Sequence, residues 1–567
     1  MKRLSKYIGI GLLAGCLMST SCTDLDETLY DQLNDTNIDL TDESDISLLL
    51  GASVAQYRYL VEDWFGMFHL LEETTDQYMV PARLGVGWGD AYINLHKHDW
   101  GVDVGQILNP WQIAYKGIAY ANIVLDNTAE DNYETQSQAR FFRAMFYYHL
   151  FDMYGNPPLQ TTQEVEKGYL PEQVGEQAMF DFLVKEFDYV ENHIGESNKF
   201  GWANKAAAQM ALAKLYLNKN AYLGTTDNDG YEKALIYVQR IIDDGNYELA
   251  STYKENFALD IDKCVETIFC IPGDQTHTTQ FGLQSYCFPQ TGLLAYNSTA
   301  PGYNGSCAIP QWIDTYDKDD QRLSDTWARG TQYYGKGHKS EGEPIPFADD
   351  DWGNDGILTY NDKVHSIDGA YQQEGARLHK YAIESGTNKG TTADDVVIFR
   401  YADALMIKAE CLLRLGRNKE EAAKLVTEVR KRSFKSNPDK ATRTVADLEG
   451  SSVYKYGHSE YKGANGLGAT SCSDWSGYES TNEGGSDIEL GGLLDDLGWE
   501  FCCELHRRQD LRRFKMTDGR NVWNGKSWFC KDATTSTTYN IFNIPKEMMD
   551  ANIKLKQNPG YAGATTE

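Results

Sequence analysis

Between Asp76 and Trp88 the chain reads Asp-Gln-Tyr-Met-Val-Pro-Ala-Arg-Leu-Gly-Val-Gly-Trp. A carboxylate, an amide, a guanidinium and two aromatic rings thus share a stretch whose Pro81, Gly85 and Gly87 disfavour helix. Aromatic faces beside groups that hydrogen-bond bidentately suit a flat, uncharged ligand with a polar rim. Trp88, set between Gly87 and Gly89, is the first candidate platform; the alternative is a ring folded back on the core. Asp76 and Arg83 are candidate contacts, or else a structural bridge to one another. A second cluster runs from Tyr296-Asn297 to Trp312 and includes Tyr303-Asn304-Gly305-Ser306-Cys307. Tyr296 and Tyr303 are its candidate platforms, while Trp312, followed by Ile313, reads as core. Cys307 enters as the neighbour of Tyr303, with a buried thiol as its other reading. Arg377, near the end of the same irregular stretch, and Trp352, within Asp349-Asp350-Asp351-Trp352-Gly353-Asn354-Asp355-Gly356, complete the set.

Metal and covalent chemistry have less to stand on. Asp351, Gly353, Asp355 and Gly356 echo part of a calcium loop, but glycine holds its third position and no flanking helix is evident. Calcium at Asp351 and Asp355 is the weak exception to an expectation of no cofactor. The cysteines show no repeated C-x-x-C pairing of the kind that holds zinc. There is no G-x-S-x-G, no H-E-x-x-H and no G-x-x-x-x-G-K-[ST], nor the strand–helix alternation of a (β/α)₈ barrel. A glycosidase needs two carboxylates about 5–10 Å apart, and 83 acidic residues leave that alternative open. Glu500, Glu504, Arg507 and Asp510 share helical spacing and read as intrahelical and interhelical ion pairs.

Composition bounds the partner. A formal net charge of -30 repels polyphosphate and argues against nucleic acid. Residues 1–22, MKRLSKYIGIGLLAGCLMSTSC, join a basic start to an apolar run too short to span a bilayer. Small residues then precede Cys22, followed by Thr-Asp-Leu-Asp-Glu. This is similar to a bacterial lipoprotein signal, with Cys22 as the acylated residue and Cys16 as the alternative.

Helical periodicity dominates three blocks, which must position the candidate residues. Pro110–Tyr154 carries Trp111, Ala114, Tyr115 and Ile118, then Phe141, Ala144, Tyr148 and Phe151, and stops at Gly155-Asn156-Pro157-Pro158. Trp202–Leu249 carries a small-residue helix and a partner through Tyr231, Ala234, Val238 and Ile241. Phe399–Arg432 carries Leu405, Ala409 and Leu412, then Ala422, Leu425 and Val429. Each block has the length of a degenerate tetratricopeptide repeat, and such pairs must stack to bury their apolar stripes. Residues 251–398 and 434–495 show little helical period yet are dotted with aromatics, and read as long loop excursions that hold the binding surface.

Five ordered motifs carry a resemblance. Trp111-x-x-Ala114-Tyr115-x-x-Ile118-x-x-x-Asn122 is the first, and Ala139–Ala144 running on to Tyr154-Gly155-Asn156-Pro157-Pro158 is the second. The third is Phe399-Arg400-Tyr401-Ala402-Asp403-Ala404-Leu405-Met406, with Ala409-Glu410, Leu415-Gly416 and Val429-Arg430-x-Arg432. Glu500, Glu504, Arg507, Asp510-Leu511 and Arg513 make the fourth. Ile544-Pro545-Lys546-Glu547 and Gln557-Asn558-Pro559-Gly560-Tyr561 make the fifth. Together they resemble the SusD/RagB family of surface nutrient-binding lipoproteins over nearly the whole chain. One departure is Phe501, where the family's E-R-x-x-E has arginine, followed by Cys502-Cys503.

The resemblance implies a mainly α, tetratricopeptide-like (TPR-like) superhelix with long irregular loops. It implies a signal peptide over residues 1–21 and a single SusD-like domain over 22–567. The helical frame would lie at about 110–250 and 399–433, with a charged helix at 496–515. It also implies a non-catalytic, oligosaccharide-binding protein anchored by lipid to the outer membrane, facing the cell exterior. Such a protein would deliver ligand to a SusC-like TonB-dependent barrel. The glycan-contact region of the family falls on the 76–88 stretch and the irregular middle region. A peptide-capturing relative and a surface glycosidase are the alternatives.

Overall fold

The computed structural model describes residues 39–195, 199–274, 282–347, 356–389, 393–461 and 471–564. The chain divides into a short unit, residues 1–45, and one long compact unit, residues 46–567, which holds the site. Among the described helices are α1 (Glu43–Glu62), α2 (Met67–Glu72), α3 (Asp90–Lys97), α4 (Gly105–Asp126), α5 (Tyr133–Tyr154) and α6 (Glu176–His193). Next come α7 (Lys205–Leu217), α8 (Asp229–Asp244), α9 (Tyr401–Arg414) and α10 (Lys419–Lys431), then α11 (Gly491–Glu500) and α12 (Arg507–Arg513). The fold is mainly α, with TPR-like helical repeats and irregular excursions. No helix among the described residues is long and apolar enough to cross a membrane.

The frame is a serial stack. Each helix from α4 to α10 packs on the next in the chain, and α8 therefore packs directly on α9 although about 150 residues separate them. The apolar stripes explain why. Trp111, Ala114, Ile118, Ala121 and Val124 are buried on α4, and α7 buries Ala206, Ala207, Ala208, Ala211 and Ala213 where small side chains let neighbours approach. Side-chain caps fix two starts: Asn132 Oδ1 accepts from the Thr135 amide and Asn204 Oδ1 from the Ala207 amide. Helix α4 begins at Gly105, ahead of the expected Pro110, because Ile107 is fully buried and holds the extra turn despite the bond that proline cannot make. Helix α6 is an addition to the sequence reading, its buried face being Met179, Leu183, Phe187 and Val190.

The main excursion is tied off at its base. Strands β1 (Tyr78–Met79), β2 (Thr267–Ile271), β3 (Cys307–Ala308) and β4 (Val396–Arg400) pair antiparallel as β2 with β4 and β1 with β3. The β2–β4 register sets Ile271 opposite Val396 and Thr267 opposite Arg400, so the chain leaves the stack and returns to it at one place. The β1–β3 register sets Tyr78 opposite Ala308. That pairing brings the two candidate clusters of the sequence side by side.

The expected charged helix at 496–515 is broken. Backbone at Cys503 (φ 57°) and Leu505 (φ 66°) turns left-handed between α11 and α12, so Glu500, Glu504 and Arg507 do not share a helix face. Glu500 instead receives Arg322 at 3.0 Å, Arg400 at 2.8 Å and Arg432 at 2.5 Å, all buried. Burial alone would raise its pKa, but the guanidiniums of Arg432, Arg400 and Arg322 outweigh it and hold the carboxyl far below the usual range. Glu504 bonds Lys380 at 2.6 Å and Arg400 at 2.8 Å. One ion pair does stay within the helix, Arg513 to Asp510 at 2.8 Å.

Candidate functional site

Trp64 sits in the turn between α1 and α2, and Trp88 in the glycine-rich turn before α3. Gly87, at φ 81°, takes a conformation that a side chain would strain. The two indoles lie parallel, 5.5 Å between centroids and 5° between planes. Tyr303 meets Trp64 edge-on at 5.1 Å and 88°. Each indole N–H is anchored: Trp88 Nε1 donates to the Tyr303 carbonyl at 3.0 Å, and Trp64 Nε1 donates to Tyr92 Oη at 3.1 Å. Tyr303 is held by its amide, which donates to the Ser285 carbonyl at 2.8 Å, and the residue is 41% exposed.

Gly305 makes room for this arrangement. A Cβ there would lie 2.6 Å from the Trp88 ring, closer than real contacts allow. Beneath the indoles Tyr286 packs at 4.8 Å from Trp64 and 4.9 Å from Trp88, and stacks on His69 at 3.6 Å. Its hydroxyl donates to Glu73 Oε1 at 3.2 Å, and His69 Nδ1 reaches the same oxygen at 3.1 Å. Burial pushes the Glu73 carboxyl well above its usual range and pulls His69 down to about 3. The imidazole is therefore neutral near pH 7, and its contact with Glu73 is a hydrogen bond. This base is fully buried.

Above it opens a cleft of about 490 Å³ whose walls include Trp64, Trp88, Tyr303, Phe347, Gln290, Thr291 and Gln372. Among the described residues lining it, none carries a carboxylate, an imidazole, a thiol or an amine. The side chains offer flat π faces with amide and hydroxyl groups between them. Such a surface stacks on the C–H face of a neutral ring and hydrogen-bonds to hydroxyls at its edge.

Two family models match the chain: "Starch-binding associating with outer membrane" over residues 41–217 and "SusD family" over residues 310–561. The chain belongs to the SusD/RagB family. The starch-binding protein SusD of Bacteroides thetaiotaomicron is 24% identical over 479 residues, covering 78% of this chain and 76% of that protein. SusD-like protein P25 of Formosa agariphila is 21% identical, covering 75% and 73%. The crystal structure of a SusD superfamily protein from Parabacteroides distasonis superposes with a TM-score of 0.66 at 17% identity, over 94% of this chain and all of that one.

For this SusD/RagB chain the sequence candidates divide sharply. Trp88 and Tyr303 are brought together in the cleft. Tyr296 is half-buried in a different cleft, its hydroxyl 3.0 Å from His379 Nδ1. Asp76, Arg83 and Arg377 are corrected as ligand contacts by their burial, while Cys307 takes its buried-thiol reading. Asp76 is fully buried and forks onto Arg507, not Arg83. Arg83 donates to the carbonyls of Gly305 at 2.8 Å, Glu374 at 2.9 Å and Tyr371 at 3.1 Å. Burial and the nearby Arg377 push its pKa down to about 10, so it stays charged. Arg377 donates to the carbonyls of Glu374, Gly375 and Gln372 and to Asn304 Oδ1. Each of these guanidiniums is an internal clamp, because a buried cation needs its donors satisfied. Cys307 is a buried thiol packed under Gly375. Trp352, Asp351 and Asp355, like Cys22 and Cys16, lie outside the described residues.

Sequence reasoning missed Trp64, Tyr286 and Gln372. A tryptophan beside Phe65-Gly66 at the end of a helical run was the available signal for Trp64. Tyr286 and Gln372 had none, since only the fold brings their distant segments under and beside Trp88.

Proposed function

We propose that this protein binds oligosaccharides at the outer surface of the outer membrane and passes them to a SusC-like TonB-dependent barrel. It would catalyse no covalent step. The parallel Trp64–Trp88 pair with Tyr303 edge-on carries the reading. It presents a preformed aromatic face with neutral polar groups at its border, which is what a sugar ring requires and what a peptide's charged termini do not. Family membership and the name of the SusD relative support glycan as the ligand class. Lipid attachment at Cys22 (Cys16 as alternative) would hold the protein at the membrane while the cleft faces outward.

Binding without chemistry fits a cleft whose described lining lacks a carboxylate pair, because glycoside hydrolysis needs an acid and a second carboxylate across the bond. The direct test is calorimetric titration with a panel of neutral oligosaccharides, starch-derived, fructan and plant cell-wall, beside a reducing-sugar release assay. Saturable binding without release is expected. Turnover of any glycan by the purified protein would sink the binding-only reading. Co-purification of a TonB-dependent barrel with the tagged protein from its native membrane tests the delivery step, and a protein that emerges alone would remove it.

A further inference from the structure

A larger cleft of about 960 Å³ lies at the other end of the 3₁₀ segment Gln290–Tyr296. Gln290 and Thr291 line the tryptophan cleft and Ala295 and Tyr296 line this one. At about 2 Å rise per residue, the two sets stand roughly 10 Å apart along the segment. The chemistry of the second cleft is different. Lys254, Lys318, Arg329 and Lys435 line it together with Asp319 and Asp320, beside Tyr296, Tyr333 and His379.

The carboxylates and the arginine already have partners within the chain. Asp320 is forked by the fully buried Arg322, with Nη2 at 2.7 Å and Nε at 3.0 Å. Asp319 pairs with Lys440 at 2.8 Å, and Arg329 pairs with Asp362. Among the described residues no carboxylate lies within ion-pair distance of Lys254, Lys318 or Lys435, and all three are exposed. Asp325, behind the wall, feels Lys254 electrostatically, yet burial still raises its pKa. His379 adds no charge, since burial pulls it down to about 4. Its Nε2–H donates to the Ser324 carbonyl at 2.7 Å, which leaves Nδ1 to accept from the Tyr296 hydroxyl and fixes that ring in the wall. Tyr333 lines the same cleft and is 51% exposed.

Three ammonium groups that make no ion pair among the described residues, beside two tyrosine rings, stand out on a chain of net charge -30, although Lys318 does act electrostatically on the adjacent Asp319. We propose that this cleft binds an anionic sugar unit, carrying a carboxylate or a sulfate ester, so that the protein accepts acidic oligosaccharides. The sugar part of this assignment rests on the oligosaccharide reading of the tryptophan cleft. The anion part rests on the lysines alone.

The test titrates the purified protein with an oligogalacturonate, a sulfated oligosaccharide and a neutral oligosaccharide of equal length. It compares wild type, the triple variant Lys254→Gln/Lys318→Gln/Lys435→Gln and Trp88→Ala, each at low and high salt. Exposed lysines tolerate glutamine, and an unchanged melting temperature confirms the fold. At least one acidic oligosaccharide should bind more tightly than the neutral one, weaken with salt, and lose about tenfold in the triple variant. Neutral binding should be unchanged there. Which acidic probe binds separates carboxylate from sulfate. Equal binding of acidic and neutral probes, or an unaffected triple variant, overturns the proposal. So does lysine-dependent binding of anionic lipid vesicles with neither acidic sugar bound. Failure of the tryptophan-cleft reading shows separately, as neutral binding that Trp88→Ala leaves intact.

Discussion

Asp76 and Arg507, 431 residues apart in the chain, form a two-pronged buried ion pair, with Arg507 Nε on Oδ1 and Nη2 on Oδ2, both at 2.7 Å. The pair pins the segment that leads to Trp88 onto α12. Asp76 also accepts from Tyr456 Oη at 3.2 Å, and its carbonyl accepts from Tyr454 Oη at 2.8 Å. Asp76, which the sequence offered as a ligand contact or a structural bridge, is thus a fastening of the loop that carries Trp88.

Breaking this pair should cost stability and not specificity. Arg507→Met leaves the Asp76 carboxylate buried without its cation, and is expected to lower the unfolding free energy by about 3–5 kcal/mol. Asp76→Asn combined with Arg507→Met should recover part of that loss. Urea unfolding midpoints measure both, and a loss below about 1 kcal/mol for the single variant would contradict a structural role. Glycan affinity of the folded fraction should stay within about twofold of wild type.

The platform can be probed from two sides. Trp88→Ala removes a stacking face and should weaken neutral-glycan binding about tenfold or more with little change in melting temperature. Gly305→Ala leaves Trp88 in the sequence but displaces its ring, because the new Cβ would lie 2.6 Å from it. That variant should lose affinity as well, with about 1–3 kcal/mol of stability. Wild-type affinity in both variants would place the ligand elsewhere.

Neutral-glycan binding should also be insensitive to salt and to pH between 5 and 8. The described lining of the tryptophan cleft has no group that changes charge in that range. Titration at 50 mM and 500 mM salt, and at both pH limits, is expected to give one affinity within about twofold. A steep dependence on either variable would point to an ionic contact instead.

Glu72 gives the fold a pH signature. Burial raises its carboxyl to about 8, opposed by the Leu505 amide that bonds Oε1 at 2.6 Å. The unfolded chain releases this proton near 4.5 while the folded chain keeps it up to about 8, so the group's penalty grows between those values and is complete above them. Glu72→Gln should therefore raise the melting temperature relative to wild type, more at pH 8 than at pH 5. A constant difference across the two pH values would show that Glu72 is ionised in the fold. Glu410 has the opposite sign. Burial would raise it, but Arg513 and Arg414 hold it down to about 2, and its contribution is lost as pH falls from 4.5 toward 2.

The sequence by itself determined the helical stack and the family. Apolar spacing on α4, α5, α7, α8, α9 and α10 is a local property, and Asn132, Asn204 and Gly155 mark ends through bonds to near neighbours. Trp88 and Tyr303 stood out as candidates for a related reason, being large rings amid glycine and polar residues on irregular backbone, and the fold sets both at one cleft. Tertiary structure alone decided which charged residues face solvent. The fate of Asp76, Arg83 and Arg377 depends on Arg507 and on carbonyls of Gly305, Tyr371 and Glu374, partners that no local pattern announces. It also broke the charged helix at Cys503 and Leu505, where Glu500 gains more from three distant guanidiniums than from a shared helix face. Finally it set Trp64 flat against Trp88. Helical periodicity is written within a few residues, whereas burial and partnership are settled between segments hundreds of residues apart.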